Sequence, residues 1–322
     1  MEKGILLFSL KSAQMAEFKR QIEAENKGRD LLISMDPQEI EPHLDRIEIA
    51  MGDVPRDLIQ RMGNLKWLQL WSAGADLLQR FPALREHPVT ITTASGIHVQ
   101  QMAEHLFAML LGWNRQLPAT FEARQKRHWL KVQAKQLAVL NGKKMLILGF
   151  GSIGESIAKI ACAFGLEVTG LRRNVSQGTA INGIQLAEAS KLHSLLPAAD
   201  YVVNILPLTP ETRHFFGSTE FSLMKNSALY INIGRGATSD EIALIEALRT
   251  KSITGALLDV CETEPLPENS PLWELDNVMI TAHYAGAHPD YSSLAMEVAL
   301  ENLRRYNRGE ELKNVVDKIK GY

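Results

Sequence analysis

Short apolar runs alternate with longer amphipathic segments along almost the whole chain. In the first third of the chain these runs have the length of strands, and polar or amphipathic stretches such as Gln14–Lys27 separate them. The predicted strands are Gly4–Leu10, Asp30–Met35, Ile47–Gly52, Leu65–Ser72 and Val89–Ser95. Parallel strands need crossover connections of helix length, so this alternation predicts a parallel sheet.

A second alternating region follows a break in the pattern. The break consists of a helical segment from Val99 to about Trp113 and a polar stretch, Arg115–Lys144. Beyond it the pattern predicts strands at Met145–Phe150, Leu166–Leu171, Tyr201–Leu206, Ala228–Ile233, Thr254–Val260 and Val278–Ala282. That number of strands is enough for a doubly wound sheet. Apolar spacing in Tyr291–Arg308 predicts a last helix that Gly309 can cap.

Composition narrows the class of protein. At about 150 residues per domain, the 322 residues suggest two domains, and the pattern makes both of them α/β. Hydrophobic residues make up 45% and charged residues 22%, which excludes a disordered chain. The longest apolar runs, such as Leu106–Leu111, are far shorter than the ~20 residues of a membrane-spanning helix. Two cysteines cannot form a disulfide framework, so we expect a protein of the reducing cytoplasm.

The charge is nearly balanced over the chain but not within the break. Lysine and arginine number 35 against 37 acidic residues, so any recognition of charge must be local. Arg115–Lys144 holds eight basic residues and one acid, Glu122. Such a cluster can bind nucleic acid, but no nucleic-acid-binding motif accompanies it. A solvated helical arm or a contact between subunits is therefore the favoured interpretation, and neither nucleic acid nor membrane is an expected partner.

A glycine-rich loop lies directly after the first strand of the second region. It reads Gly149-Phe-Gly-Ser-Ile-Gly154, and apolar residues at helical spacing follow it as far as Gly165. In this context the glycines permit a tight turn, a close approach of pyrophosphate and close packing of helix on strand. The helix N-terminus then offers N–H groups to the anion. The loop therefore predicts a dinucleotide site, with a purely structural glycine turn as the alternative.

The residues after the next strand indicate which dinucleotide binds. An NAD site usually has an acid about 20 residues beyond the glycine loop, to bind the ribose 2′-hydroxyl. Here Arg172 and Arg173 stand at that place. Guanidinium groups attract a 2′-phosphate, so the sequence predicts NADP, with NADPH preferred over NADH. The alternative is that both arginines only face solvent.

Three polar residues follow predicted strands at one edge of the second sheet. Arg235, Glu264 and His283 each come just after a strand, where ligands of open α/β sheets bind. A histidine can donate a proton, a carboxylate can orient it, and an arginine can hold a substrate carboxylate. These residue types suit reduction of a carbonyl group. His98 and His105 lie on one helical face, where packing or capping is the expected role. Neither cysteine lies in a ligand-spaced cluster, so no metal is expected.

Five motifs in chain order resemble those of the D-isomer-specific 2-hydroxyacid dehydrogenases, and the resemblance covers essentially the whole chain. The motifs are Gly149–Gly154, Ile205–Thr212, Ile231–Gly236, Gly255–Val260 with Glu264-Pro265, and Thr281–Gly286. The resemblance implies a flavodoxin-like substrate domain built from both chain ends, residues 1–96 and 289–322. A Rossmann dinucleotide-binding domain, residues 97–288, would be inserted between them. It also implies a homodimer formed through the nucleotide domains.

The same resemblance implies the residues of the site. Arg235, Glu264 and His283 would be catalytic. Backbone N–H groups of Ser72, Ala73 and Gly74 would bind the substrate carboxylate together with Arg235 and His283, although that loop alone reads as a plain turn. The residues implied around the cofactor are Gly149, Gly151, Ser152, Ile153, Gly154, Arg172, Arg173, Leu206, Pro207, Thr212, Ile233, Gly234, Arg235, Asp259, His283 and Ala285.

Departures from the family pattern refine the expected activity. Ala282 replaces the usual proline before the histidine, and Arg172-Arg173 replaces the usual acid. Glu264 argues against the related formate dehydrogenases, and the regulatory domain of long-form phosphoglycerate dehydrogenases is not expected here. The chain looks most similar to glyoxylate/hydroxypyruvate reductases and related 2-ketoacid reductases, which implies NADPH-dependent reduction of a small 2-oxoacid. The alternatives are a reductase of a bulkier 2-oxoacid and a dinucleotide-sensing binding protein similar to the corepressors of this family.

Overall fold

The computed structural model describes residues 4–11, 13–75, 77–173, 175, 180–181 and 184–321. The chain divides into two compact units. The first comprises Met1–Ile97 and His288–Tyr322, and the second comprises His98–Ala287. These bounds differ by one residue from those that the sequence predicts.

The first unit contains a five-stranded parallel sheet. Its strands are β1 (Ile5–Ser9), β2 (Asp30–Ile33), β3 (Ile47–Gly52), β4 (Trp67–Gln69) and β5 (Thr90–Thr92), in the spatial order β2-β1-β3-β4-β5. The helices between them are α1 (Met15–Glu25), α2 (Pro37–Ile40), α3 (Arg56–Ile59) and α4 (Leu77–Arg80). This strand order is that of flavodoxin-like sheets. The five strands lie within the five predicted runs. Strand β3 coincides with its run, whereas the other four runs extend into the adjoining loops.

The second unit begins with two helices and continues with strands and helices that alternate along the chain. Its helices are α5 (Val99–Asn114), α6 (Leu117–Gln125), α7 (Ser152–Ala163), α8 (Leu192–Leu195), α9 (Ser218–Leu223) and α10 (Glu241–Arg249). Its strands are β6 (Lys144–Leu148), β7 (Glu167–Arg172), β8 (Ala180–Ile181), β9 (Ile184–Glu188), β10 (Tyr201–Asn204), β11 (Leu229–Asn232), β12 (Gly255–Leu258) and β13 (Val278–Ile280). The last helix, α11 (Tyr291–Arg308), returns to the first unit and ends at Gly309, whose φ is +70°.

The sheet of the second unit has the doubly wound order of a Rossmann fold. The strands run β13-β12-β11-β10-β6-β7-β9-β8, and the glycine loop leaves β6 where the strand order reverses. Two of these strands, β8 and β9, are not predicted by the sequence. Strand β9 contains buried Ile184 but exposed Gln185 and Glu188, so it lacks the continuous apolar run of the central strands. The pairing of β8 with β9 is antiparallel, whereas the alternation predicts parallel pairs only.

The central strands bury both faces, which explains why their sequences are continuously apolar. Along β6, Met145 and Ile147 pack on the side of α5 and α7, whereas Leu146 and Leu148 pack on the side of α9 and α10. This alternation follows from the two-residue period of a strand. The sheet is thus rigidly held between two helical layers, and the loops at its carboxyl edge project from a fixed base.

Candidate active site

The glycine loop has the geometry of a phosphate cradle. Gly149 has a φ of +91°, and a Cβ there would lie 3.1 Å from the carbonyl oxygen of Ile205, so both the turn and the close approach require glycine. Beside Gly151, by contrast, no atom lies within 4 Å of the position a Cβ would take. Helix α7 begins at Ser152, so its first N–H groups face this open space. The loop therefore fits the pyrophosphate of a dinucleotide.

Arg172 lies at the end of β7, beside the glycine loop. Its Nε donates to the carbonyl oxygen of Phe150 at 2.6 Å, and its Nη2 bonds Glu155 Oε1 at 3.1 Å. The guanidinium also lies over the Phe150 ring, 5.6 Å from the centroid. These contacts hold the arginine against the loop. Arg173 follows at an exposed bend.

The loops after β10 and β11 extend the same edge of the sheet. Asn204 Oδ1 accepts from the N–H of Leu206 at 3.1 Å, and Thr212 Oγ1 donates to the Pro207 carbonyl at 2.6 Å. The residues Ile233 and Gly234 follow β11, and a Cβ on Gly234 would lie 2.9 Å from Ile205 Cα. The cofactor-binding candidates of these two loops therefore lie beside one another, next to the glycine loop.

His283 and Glu264 form a hydrogen-bonded pair. Nδ1 of the imidazole lies 2.6 Å from Oε2 of the carboxylate, and both side chains are partly exposed, at 46% and 37%. The other carboxylate oxygen accepts from the N–H of Cys261 at 3.0 Å, which fixes the orientation of Glu264. Because the pair uses Nδ1, Nε2 is the nitrogen that can pass a proton to a substrate. This is the arrangement of a general acid with an orienting carboxylate.

The backbone presents His283 in an unusual conformation. Its φ is +53°, and its N–H donates to the Asp259 carbonyl at 2.8 Å. The Asp259 carboxylate, which is 1% exposed, accepts from the N–H groups of Tyr284 at 3.1 Å and Ala285 at 2.9 Å. A left-handed conformation costs free energy at a residue with a Cβ, and these bonds hold the turn in place. Asp259 thus organises the turn that carries the histidine.

Arg235 emerges from the loop after β11. This loop packs on the backbone of Cys261 and Glu262, where Gly236 leaves no room for a Cβ, and it therefore adjoins the loop of Glu264. The Arg235 carbonyl accepts from Thr238 Oγ1 at 2.6 Å, and Arg235 Nη1 donates to the Gly234 carbonyl at 2.9 Å. The guanidinium is half-buried, which suits a charge that binds a substrate carboxylate.

His98, directly before α5, and His105 within α5 both contact the segment Thr281–Gly286, which is called the histidine turn below. His98 Nδ1 lies 2.9 Å from the Gly286 carbonyl, and His105 Nε2 lies 3.0 Å from Thr281 Oγ1. Burial lowers the pKa of His98, and the nearby positive charge of Arg235 lowers it further. Arg235 and the turn after His283 thus share one neighbour. The expectation of packing or capping for these histidines does not anticipate that both contact the same turn.

A network of buried polar side chains adjoins the loop of Arg235, and the sequence analysis does not predict it. Asn204 Nδ2 donates to the hydroxyl oxygens of Tyr230 and Thr238, at 2.8 and 2.9 Å. The Tyr230 hydroxyl is 2.5 Å from Ser239 Oγ, and burial raises the pKa of this tyrosine to about 12. One feature of the sequence could have indicated this network, because Asn204 and Asn232 each end an apolar strand, and the two strands are neighbours that pair in register. The network joins β10 and β11 to the loop that carries Arg235.

The loop Ser72–Gly74 belongs to the first unit and follows β4. Ser72 Oγ donates to the Gly74 carbonyl at 2.9 Å, and the Ser72 carbonyl accepts from the Ala94 N–H at 2.9 Å. A cavity of about 160 Å³ adjoins this loop, lined by Gly52, Trp71 and their neighbours. The loop is therefore a braced turn at the mouth of a cavity.

Two features are absent from the described part of the chain. No group of three or more histidine, cysteine, aspartate and glutamate side chains there could hold a metal ion. No described helix has both the length and the apolar character that crossing a bilayer requires.

Comparison with known proteins agrees with this geometry. The model of the D-isomer specific 2-hydroxyacid dehydrogenase NAD-binding domain matches residues 107–285. Glyoxylate/hydroxypyruvate reductase B of Enterobacter sp. strain 638 is 33% identical over 295 residues, which cover 88% of this chain and 90% of that protein. D-3-phosphoglycerate dehydrogenase of Methanocaldococcus jannaschii is 32% identical over 82% of this chain, which spans only half the length of that relative.

A solved structure extends the similarity to both units. The NADPH-dependent glyoxylate/hydroxypyruvate reductase of Sinorhizobium meliloti, in complex with NADP and sulfate, has a TM-score of 0.84 to this chain at 28% identity. The match covers 99% of this chain and all of that one.

Proposed function

The chain belongs to the D-isomer-specific 2-hydroxyacid dehydrogenase family, and we propose that it reduces a small 2-oxoacid of the glyoxylate or hydroxypyruvate kind to a D-2-hydroxyacid with NADPH. The observation that carries the proposal is the 2.6 Å pair of His283 and Glu264, at the sheet edge where the glycine loop also lies. Relatives named for this activity are similar over most of their length.

Each catalytic residue has a task that its contacts support. A reduced nicotinamide cofactor, held at the glycine loop Gly149–Gly154, would supply the hydride. His283 Nε2 protonates the substrate oxygen as negative charge develops on it. Glu264 bonds Nδ1, which favours the protonated imidazole and orients the ring. Arg235 binds the substrate carboxylate and stabilises the charge on the adjacent oxygen.

The loop Ser72–Gly74 of the first unit is a further candidate for substrate binding. We propose that backbone N–H groups of Ser72, Ala73 and Gly74 bind the substrate carboxylate, with the side-chain substituent in the neighbouring cavity. A cavity of about 160 Å³ holds a group no larger than roughly a benzene molecule.

The preference for NADPH rests on the end of β7. Arg172 and Arg173 occupy the position where NAD enzymes usually have an acid, and a guanidinium attracts the 2′-phosphate that an acid would repel. The contacts of Arg172 with Phe150 and Glu155 hold one guanidinium beside the glycine loop. We therefore propose that this pair selects the phosphorylated cofactor.

We further propose that the working form is a homodimer of the cytoplasm. Five large apolar side chains are exposed in the segment from α6 to Val139, namely Leu117, Phe121, Trp129, Leu130 and Val139. Exposed apolar residues grouped in one segment of the chain favour a surface that another chain covers, and a second copy is the occupant proposed here. Both cysteines are free, in keeping with a reducing compartment.

The test is a steady-state panel. Oxidation of NADPH and of NADH is followed at 340 nm with glyoxylate, hydroxypyruvate and a branched 2-oxoacid, and chiral chromatography identifies the product. We expect the two small substrates to have the highest kcat/KM and the product of hydroxypyruvate reduction to be the D-isomer. Highest efficiency with the branched acid would favour the bulkier-substrate alternative. Tight NADPH binding without turnover would favour the dinucleotide-sensing alternative.

A further inference from the structure

The buried Asp259 carboxylate accepts three hydrogen bonds. It lies 1% exposed, and it holds two N–H groups of the histidine turn. Its third partner is a side chain, since Thr281 Oγ1 donates to Oδ1 at 2.6 Å. A buried carboxylate keeps a fixed position only where its hydrogen bonds are complete. The position of the turn therefore depends on what holds Thr281.

His105 is what holds Thr281. Its Nε2 lies 3.0 Å from Thr281 Oγ1 and 3.6 Å from Asp259 Oδ1. Because the threonine hydroxyl donates its proton to the carboxylate, it can only accept from His105, which places the imidazole proton on Nε2. A directed chain results, in which Nε2–H of His105 donates to Thr281 and Thr281 donates to Asp259.

The surroundings of His105 favour this single arrangement. The histidine side chain is 14% exposed, and its ring meets the Tyr284 ring edge-on with the centroids 5.1 Å apart. Tyr284 is the residue directly after His283. One imidazole on α5 thus contacts the histidine turn in two ways, through the hydrogen-bonded chain and through the ring of the next residue.

We infer that His105 is a positioning residue for the reaction, which sets the place of His283 through Thr281 and Asp259 without touching the substrate. The inference rests on the proposed function only for its kinetic part. Its structural part, that the N–H groups of the turn are held by way of His105, is independent of any activity. Both parts of the inference require a hydrogen-bond donor to Thr281 at the position of His105 Nε2.

The experiment compares His105→Leu with His105→Gln, because glutamine can present an N–H near the position of Nε2 whereas leucine cannot. We expect His105→Leu to lower kcat about tenfold or more, since a small displacement of a catalytic group has effects of this size. KM and the Kd of NADPH should change less than about twofold. His105→Gln should restore most of the kcat. His193→Leu, a change at an exposed histidine of the same unit, is the control.

A second readout needs no turnover. In hydrogen–deuterium exchange of the holoenzyme, the peptide containing Tyr284 and Ala285 should exchange at least about tenfold faster in His105→Leu than in wild type or His105→Gln. Wild-type exchange and wild-type kcat in His105→Leu would overturn the inference. If no 2-oxoacid is reduced by the wild type, the proposed function fails while the exchange result still tests His105.

A second variant distinguishes loss of the hydrogen-bonded chain from misfolding of His105→Leu. Thr281→Val removes the middle of the chain and should reproduce the loss of protection seen in His105→Leu. The double variant should lose little more than either single variant, because both remove the same connection. Additive losses would show that His105 and Thr281 act separately, and would overturn the inference.

Discussion

The Arg172 guanidinium is shared between Glu155 and the carbonyl of Phe150, at 3.1 Å from Nη2 to the carboxylate and 2.6 Å from Nε to the carbonyl. This arginine stands at the end of β7, where the ribose of a bound dinucleotide is recognised in Rossmann folds. Glu155 lies in the first turn of α7. A negative charge therefore accompanies the arginine that is proposed to attract a 2′-phosphate.

Glu155→Gln should increase the preference for NADPH. Removing this carboxylate leaves the positive charge of Arg172 uncompensated, so kcat/KM for NADPH relative to NADH should rise about two- to fivefold, as for a partly exposed charge pair. Glu167→Gln, at the opposite end of β7 and largely exposed, is the matched control. An unchanged or smaller ratio would contradict the role given to Arg172. Arg172→Asp should move the ratio in the other direction, towards NADH.

His283→Ala should reduce turnover by about 10²–10⁴ while leaving the Kd of NADPH nearly unchanged, because it removes a proton donor and no cofactor contact of the glycine loop. Glu264→Gln keeps the shape but removes the charge that supports the imidazolium, and a loss of about tenfold or more is expected. Rapid-mixing measurement of hydride transfer and fluorescence titration of NADPH separate the two effects. Full activity of His283→Ala would remove the histidine from the mechanism.

Trp129→Asp should convert the proposed homodimer into monomers. The indole is 87% exposed, in a segment of the chain that holds four other exposed apolar side chains, and a charge introduced into a contact between two chains must be desolvated when they meet. Light scattering coupled to size-exclusion chromatography gives the molecular mass directly. Ile242→Asp changes an isoleucine that is 82% exposed in the same unit and should not alter the mass. A wild-type protein that is monomeric at micromolar concentration would refute the dimer.

Asp200→Asn should destabilise the second unit at neutral pH but not in acid. Burial alone would raise the pKa of Asp200, but the N–H of Lys144 and the ammonium of Lys225, 3.0 Å away, outweigh burial and lower it. Its folded pKa thus lies below the unfolded value of about 3.9. The stabilisation is complete above that pH and is lost as the pH falls through the lower folded value.

Urea denaturation between pH 3 and pH 8 measures this effect. Asp200→Asn should lower the free energy of unfolding by about 1–2 kcal/mol above roughly pH 5, and the difference should shrink towards pH 3. Asp290→Asn, at an exposed position before α11, is the control. A difference that stays constant down to pH 3 would contradict an ionic origin.

Prediction from sequence succeeds where one local pattern has one structural cause. Central strands such as β6 are buried on both faces, so their run of apolar residues predicts a strand without reference to distant residues. Strand β9 is partly exposed, its pattern of apolar and polar residues is mixed, and the sequence does not predict it. The glycine loop is recognisable for a similar reason, because its turn and the following helix lie within a few residues of each other.

The chemistry of the site follows the same division. Residue type and position after a strand are enough to make Arg235, Glu264 and His283 candidates for catalysis, because the carboxyl ends of parallel strands lie at one edge of a sheet. The sequence does not, however, predict the hydrogen-bond partners of the site residues. Arg172 pairs with Glu155, and His105 on α5 meets Thr281 176 positions later in the chain. Such contacts depend on how helices pack on the sheet, to within a few tenths of an ångström, and no sequence period carries that information.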